Sequence, residues 1–147
     1  MSNDLARALY REALDTDHAP PNLARYVLCD PRARTFYRNW QGVARDAVGS
    51  LRIEAARAPD DPDLADLLVE LAARSPEFTR RWNAHDVEYY RSGTQSFHHP
   101  DVGDLDLDYD ALEVAADPGL TIVTYTHSAT GPHDAAFTRL QRLDAAP

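Results

Sequence analysis

Apolar positions recur at helical spacing through the first half of the chain and at alternate positions through much of the second. Behind Asn3, a residue suited to an N-cap, Leu5, Ala6, Leu9, Ala13 and Leu14 return every three or four residues and predict a first helix. The linker 15–21, with Asp17, His18 and two prolines, ends it. A short second helix is expected over 22–29, with Leu23, Tyr26 and Val27 on one side. Asp30-Pro31 has the form of an N-cap and a first-turn proline, which predicts a third helix running to Tyr37. The clearest helix covers 40–57, where Val43, Ala47, Val48, Leu51, Ala55 and Ala58 make a continuous stripe. Pro59 and Pro62 break it. A fifth helix starts at Asp63 with Leu64, Leu67, Leu68 and Leu71 inside, and Ser75-Pro76-Glu77 opens a sixth carrying Phe78 and Trp82.

After His85 the period changes. Val87, Tyr89 and the flanks at Phe97 and Val102 favour strand. Leu105, Leu107 and Tyr109 alternate with Asp104, Asp106, Asp108 and Asp110, which means one buried face. Residues 100–103 supply the turn. Residues 120–126 (LTIVTYT) are β-branched and aromatic, as expected of a central strand. A last helix is expected over 135–143. Helices first and strands after predict an α+β domain in which N-terminal helices pack on a small antiparallel sheet.

The chain has 147 residues, enough for one domain with a real core. Its 44% apolar and 27% charged residues exclude a disordered chain. No apolar run spans a bilayer and no signal peptide opens the sequence, so a cytoplasmic protein without membrane contact is expected. A lone Cys29 fits that compartment. The net charge of −9 repels phosphate backbones and argues against nucleic-acid binding by this chain.

Few constellations carry chemistry. His85, His98 and His99 lie near several Asp, but adjacent histidines on a strand point to opposite faces, and the spacing does not match a zinc site. The run DLDLDYD from Asp104 superficially suggests a calcium loop; Tyr109 and Ala115 occupy the places where Gly and Glu are needed. No nucleophile elbow or Gly-rich phosphate loop is present. A hydrolase using His85 or His99 with an Asp would rest on proximity in sequence alone. Residues 68–82 imitate a helix-turn-helix with Arg80 and Arg81 on the second helix, but Phe78 and Trp82 give that helix an apolar face suited to packing. No metal, cofactor or catalytic residue is therefore expected.

What remains is a concave apolar site with a few polar anchors. Among the aromatic residues, Tyr26, Trp40, Trp82 and Tyr125 are the expected pocket lining. Asn22, Arg45, His85 and His99 are the expected polar contacts, with Arg45 or His85 holding a ligand's polar head. Each also has a structural role open to it: Asn22 as an N-cap, Arg45 in an ion pair near Asp46, and His85 at a helix end.

Many short motifs, in order, resemble one family. They run from Asn3-Asp4-Leu5-Ala6 through Asn22-Leu23-Ala24-Arg25-Tyr26-Val27 and Asp30-Pro31-Arg32-Ala33 to Trp40, Val43-Ala44-Arg45-Asp46 and Leu51-Arg52. They resume at Asp61-Pro62, Leu71, Ser75-Pro76-Glu77-Phe78, Trp82, His85-Asp86-Val87, Gly93, His99-Pro100, Val102-Gly103, Leu107 and Tyr125. The chain resembles the ligand-binding domain of MmyB-like transcription regulators. The resemblance implies a PAS-like sensory domain that follows an Xre-type DNA-binding domain in bacterial regulators and holds a small apolar molecule such as a fatty acid. It also implies that this chain lacks the DNA-binding helices and the strands that open the PAS-like sheet. On that expectation the alternative is a dimerising module that pairs with a second copy or with a related regulator.

Overall fold

The computed structural model describes residues 2–15, 20–85, 91–117, 119–127, 131 and 133–144. Helix α1 (Asp4–Leu9) leads into the single turn α2 (Arg11–Leu14), and α3 (Leu23–Cys29), the turn α4 (Ala33–Phe36), α5 (Trp40–Arg57), α6 (Pro62–Arg74) and α7 (Pro76–Ala84) follow. Strands β1 (Ser92–His99), β2 (Gly103–Glu113) and β3 (Thr121–Thr126) come next, and α8 (Asp134–Asp144) closes the described chain. The fold is α+β, as the change of period predicts. The expected strand character of Val87 and Tyr89, and the linker positions Asp17 and His18, lie outside the described residues.

The helix starts are set by side chains. Asn3, Asn22, Asn39, Asp61 and Ser75 each accept a hydrogen bond from a backbone N–H in the first turn that would otherwise lack a partner. Pro62 and Pro76 stand in the first turn of α6 and α7, where the missing N–H costs nothing. His85 ends α7 in the left-handed region at φ 58°, the role the sequence left open to it as a helix end. Two helices are shorter than predicted. The first breaks at Tyr10 into α1 and α2. The third is one turn only: the Asp30 side chain accepts from the Arg32 amide at 2.9 Å, and Tyr37 turns extended to bridge Phe97 of β1.

The sheet has the order β1-β2-β3, antiparallel throughout. Residues 100–102 connect β1 to β2, and Gly103 takes φ 85°, a backbone conformation that side chains rarely tolerate. The period-two reading of β2 holds: Leu105 and Leu107 are buried, while Asp108 and Asp110 on the opposite parity are exposed. The expectation of a central strand at 120–126 needs correction. β3 is an edge strand, paired only with residues 108–113 of β2, and Ile122 and Val123 are each about half exposed. β-Branched residues report strand propensity and not position within a sheet. Beyond the end of β3, α8 packs against β2 and also against α1, burying Ala136 and Leu140.

The core joins the helices to one face of the sheet. Phe97 is fully buried, with ring centroids of Phe36 at 5.2 Å, Tyr37 at 5.7 Å, Tyr125 at 5.9 Å and Tyr10 at 6.1 Å. The Arg38 amide donates to the Ser96 carbonyl at 3.1 Å, adding a backbone link at the same place. On the far side, Arg25 of α3 makes a bidentate contact with Glu70 of α6 at 2.9–3.1 Å, and Arg74 also binds Glu70.

Two predictions follow from this packing. Phe97→Ala should lower unfolding stability by about 3–5 kcal/mol, measured by denaturant titration; a loss under about 1 kcal/mol would remove Phe97 from the centre of the core. The hydrogen bonds from Arg25, then from Arg74, hold the Glu70 carboxyl below its ordinary value. A depressed carboxyl stabilises the fold above its unfolded value, and that stability is lost as pH falls through the lowered folded value. Glu70→Gln should therefore flatten the acid side of the melting-temperature curve below about pH 4.5. An unchanged acid limb would mean the α3–α6 tie contributes nothing.

Candidate functional site

A groove opens at the seam between the helices and the sheet. One wall is α3, through Leu23, Ala24 and Val27, and α5, through Val43, Ala47 and Leu51. The other wall is the sheet: Gln95 of β1, Tyr109 and Ala111 of β2, and Val123 and Tyr125 of β3. Tyr10 and Tyr37 complete the lining. The pairing register explains the sheet wall, because Tyr109 lies opposite Tyr125 and Ala111 opposite Val123, all on the parity of buried Leu105 and Leu107. The cavity volume is about 330 Å³.

The polar groups of the groove are few. Asp46, Ser50 and Glu54 line it from α5, at the i, i+4, i+8 spacing that puts residues on one side of a helix. Ser50 donates its hydroxyl to the Asp46 carbonyl at 2.9 Å. The Tyr10 and Tyr125 hydroxyls meet at 2.6 Å. Burial pushes the hydroxyls of Tyr10, Tyr37 and Tyr125 upward, and Tyr10 is raised further by the neighbouring Tyr37 and Tyr125. These phenols stay protonated and add no charge to the lining.

The structure disperses the eight residues expected from sequence. Tyr125 lines the groove. Asn22 and Tyr26 line a separate small pocket with Arg25, Cys29 and Arg74, where Asn22 caps α3 at 3.0 Å and Tyr26 is buried. Burial raises the Tyr26 hydroxyl and the Cys29 thiol there, so neither ionises readily. Trp40 is buried, donates its indole N–H to the Val27 carbonyl at 2.8 Å, and carries the Arg34 guanidinium 3.8 Å above its ring. Trp82 stacks on Phe78 at 5.2 Å, under Arg52 at 4.4 Å. Arg45 sits 3.7 Å from Asp46, the ion pair anticipated as its structural role, and does not line the groove. His85 is exposed at the end of α7, its Nδ1 2.7 Å from the Asn83 carbonyl.

His99 is buried between two backbone groups. Its Nε2 lies 3.1 Å from the Ala8 carbonyl and its Nδ1 accepts from the Asp101 amide at 3.2 Å, which fixes the Nε2–H tautomer. It fastens the hairpin turn to α1. The two arginines of the imitated helix-turn-helix both bind Glu77, at 2.6 Å each. Among the described residues no three His, Cys, Asp or Glu side chains converge as metal ligands, and no helix is long and apolar enough to cross a membrane.

Sequence reasoning missed Asp46, Ser50, Glu54, Gln95, Tyr109, Ala111 and Val123 as groove lining. A signal existed on α5. The apolar line Val43–Ala47–Leu51 runs beside the polar line Asp46–Ser50–Glu54, one step round the helix, as expected where a helix borders a cavity.

Comparison with curated proteins and with solved structures finds no match. A family model, the MmyB-like transcription regulator ligand binding domain, matches residues 1–143. With nearly the whole chain covered, and a groove at the junction of its helices and sheet, the protein belongs to the MmyB-like transcription regulator ligand-binding domain family.

Proposed function

We propose that this domain senses a small apolar molecule held in the groove between α3, α5 and the sheet, and performs no catalytic step. The observation that carries the reading is the groove itself. Its volume of about 330 Å³ falls in the range of small-molecule sites, and its lining is aliphatic and aromatic with a few polar groups at the edges. A flexible lipid-like chain suits such a lining, and a fatty acid is the ligand the family resemblance implies. Its walls come from two layers, so a molecule that binds better to one spacing of helices and sheet shifts the population toward it. A regulator built on this domain would read that shift as a change in operator affinity, through coupling between two sites.

A second reading is favoured by β3. Its outer edge has no strand partner among the described residues, and Leu112, Leu120, Ile122 and Val123 are each about half exposed. An edge strand with exposed apolar side chains is a template for pairing with another chain. On this reading the domain is a pairing module for a second copy or a related regulator.

Native mass spectrometry with denaturing extraction separates the two. A small molecule released from a monomer supports the sensor, and an empty dimer supports the pairing module. Ala47→Trp places an indole in the groove and should weaken binding of dodecanol at least tenfold, about 1.4 kcal/mol, by calorimetry. His85→Ala, outside the groove, should leave that affinity unchanged. A loss of affinity with His85→Ala and none with Ala47→Trp would move the site to the end of α7.

A further inference from the structure

A second cavity, of about 410 Å³, lies where α1 and α8 meet the sheet. Helix α1 supplies Leu5 and Leu9 to its wall, α8 supplies Phe137 and Leu140, and β2 supplies Leu107. No described residue in this lining carries a charge. Val123 and Tyr125 of β3 line the cavity and the groove alike, so the two spaces meet over the same stretch of strand.

One contact stands between them. Tyr10, at the α1–α2 junction, lines the groove, and its neighbour Leu9 lines the second cavity. The Tyr10 hydroxyl meets that of Tyr125, which lines both spaces, at 2.6 Å. A hydrogen bond between two neutral hydroxyls is modest in net strength, whereas a buried phenol with no partner is costly. Tyr37, also in the groove, raises the Tyr10 hydroxyl alongside Tyr125, so Tyr10 keeps a phenol neighbour when Tyr125 moves away. An apolar chain that stops at this contact leaves the walls of the second cavity without partners. A longer chain fills them and buries more of its own surface.

We propose that the groove and the second cavity are two halves of one ligand site, partitioned by the hydroxyl contact of Tyr10 with Tyr125. A short apolar molecule occupies the groove with the partition closed. A long one parts the hydroxyls and lays its far end between α1, α8 and β3. Ligand length then selects between two arrangements at the end of α1, because the open one binds the long chain better. The inference rests on the groove being the ligand site.

The test measures how octanol and hexadecanol partition between the purified domain and cyclodextrin, with the bound alcohol extracted and quantified by mass spectrometry. Ala6 of α1 lines the second cavity and not the groove. Ala6→Trp should weaken hexadecanol binding about tenfold or more and leave octanol unchanged. Ala47→Trp, in the groove, should weaken both. Tyr125→Phe keeps the ring and removes the hydroxyl, and it should raise the affinity for hexadecanol relative to octanol about threefold. A melting curve establishes that Ala6→Trp is folded, and Leu5→Phe serves in its place if it is not. Hexadecanol binding untouched by Ala6→Trp, or octanol binding lost to the same extent, overturns the inference while leaving the groove reading intact. A ratio unmoved by Tyr125→Phe overturns the partition. Failure of both alcohols to bind overturns the groove reading and the inference together.

Discussion

The contact on which the rest of the structure depends is the one between Tyr37 and Phe97. At this point the helical half of the chain leaves its last short turn, goes extended, and bridges to β1. Phe97 then gathers Tyr10, Phe36 and Tyr125 around it, so that rings from α4, β1, β3 and the α1–α2 junction share one site. Aromatic rings suit such a junction, because they bury large areas and meet at many angles. That anchor, with the Arg38–Ser96 backbone bond beside it and the His99 link to Ala8, sets the height of the helices above the sheet. The groove exists because the anchor holds the two layers together at one end while α3 and α5 stand off from Ala111 and Val123 at the other.

Much of the fold was legible in the sequence. Asn3, Asn22 and Ser75 announced their helices because capping is local, and its signature lies within a few residues of the cap. Leu105 and Leu107 announced the buried face of β2 because a strand repeats every two residues. The errors arose where a distant residue decides. The turn at α4 stops short because Tyr37 is claimed by Phe97, sixty positions on, and nothing near Tyr37 reports that. The run 120–126 carries strong strand propensity, yet its place at the sheet edge follows from β2 being its one strand partner among the described residues.

The candidate site was less legible, for a related reason. Large aromatic and charged residues attract attention in a sequence, and most of those chosen turn out to be fasteners. Trp40 ties α5 to α3, His99 ties the hairpin turn to α1, and Trp82 packs under Arg52. The groove is made instead by small residues, Ala24, Ala47 and Ala111, which leave space where a larger side chain would fill it. Space has no signature in sequence until the opposing wall is known.

The hydroxyl contact between Tyr10 and Tyr125 spans 115 positions of the chain, and the His99 link to Ala8 spans 91. Contacts between such distant residues carry a large loop-closure cost and belong to the slow part of folding. The capped helices and the β1–β2 hairpin rest on local contacts, whereas the base of the groove needs Tyr10 and Tyr125, far apart in the chain, brought together. A newly made chain would thus acquire its secondary structure well before it could hold any small molecule.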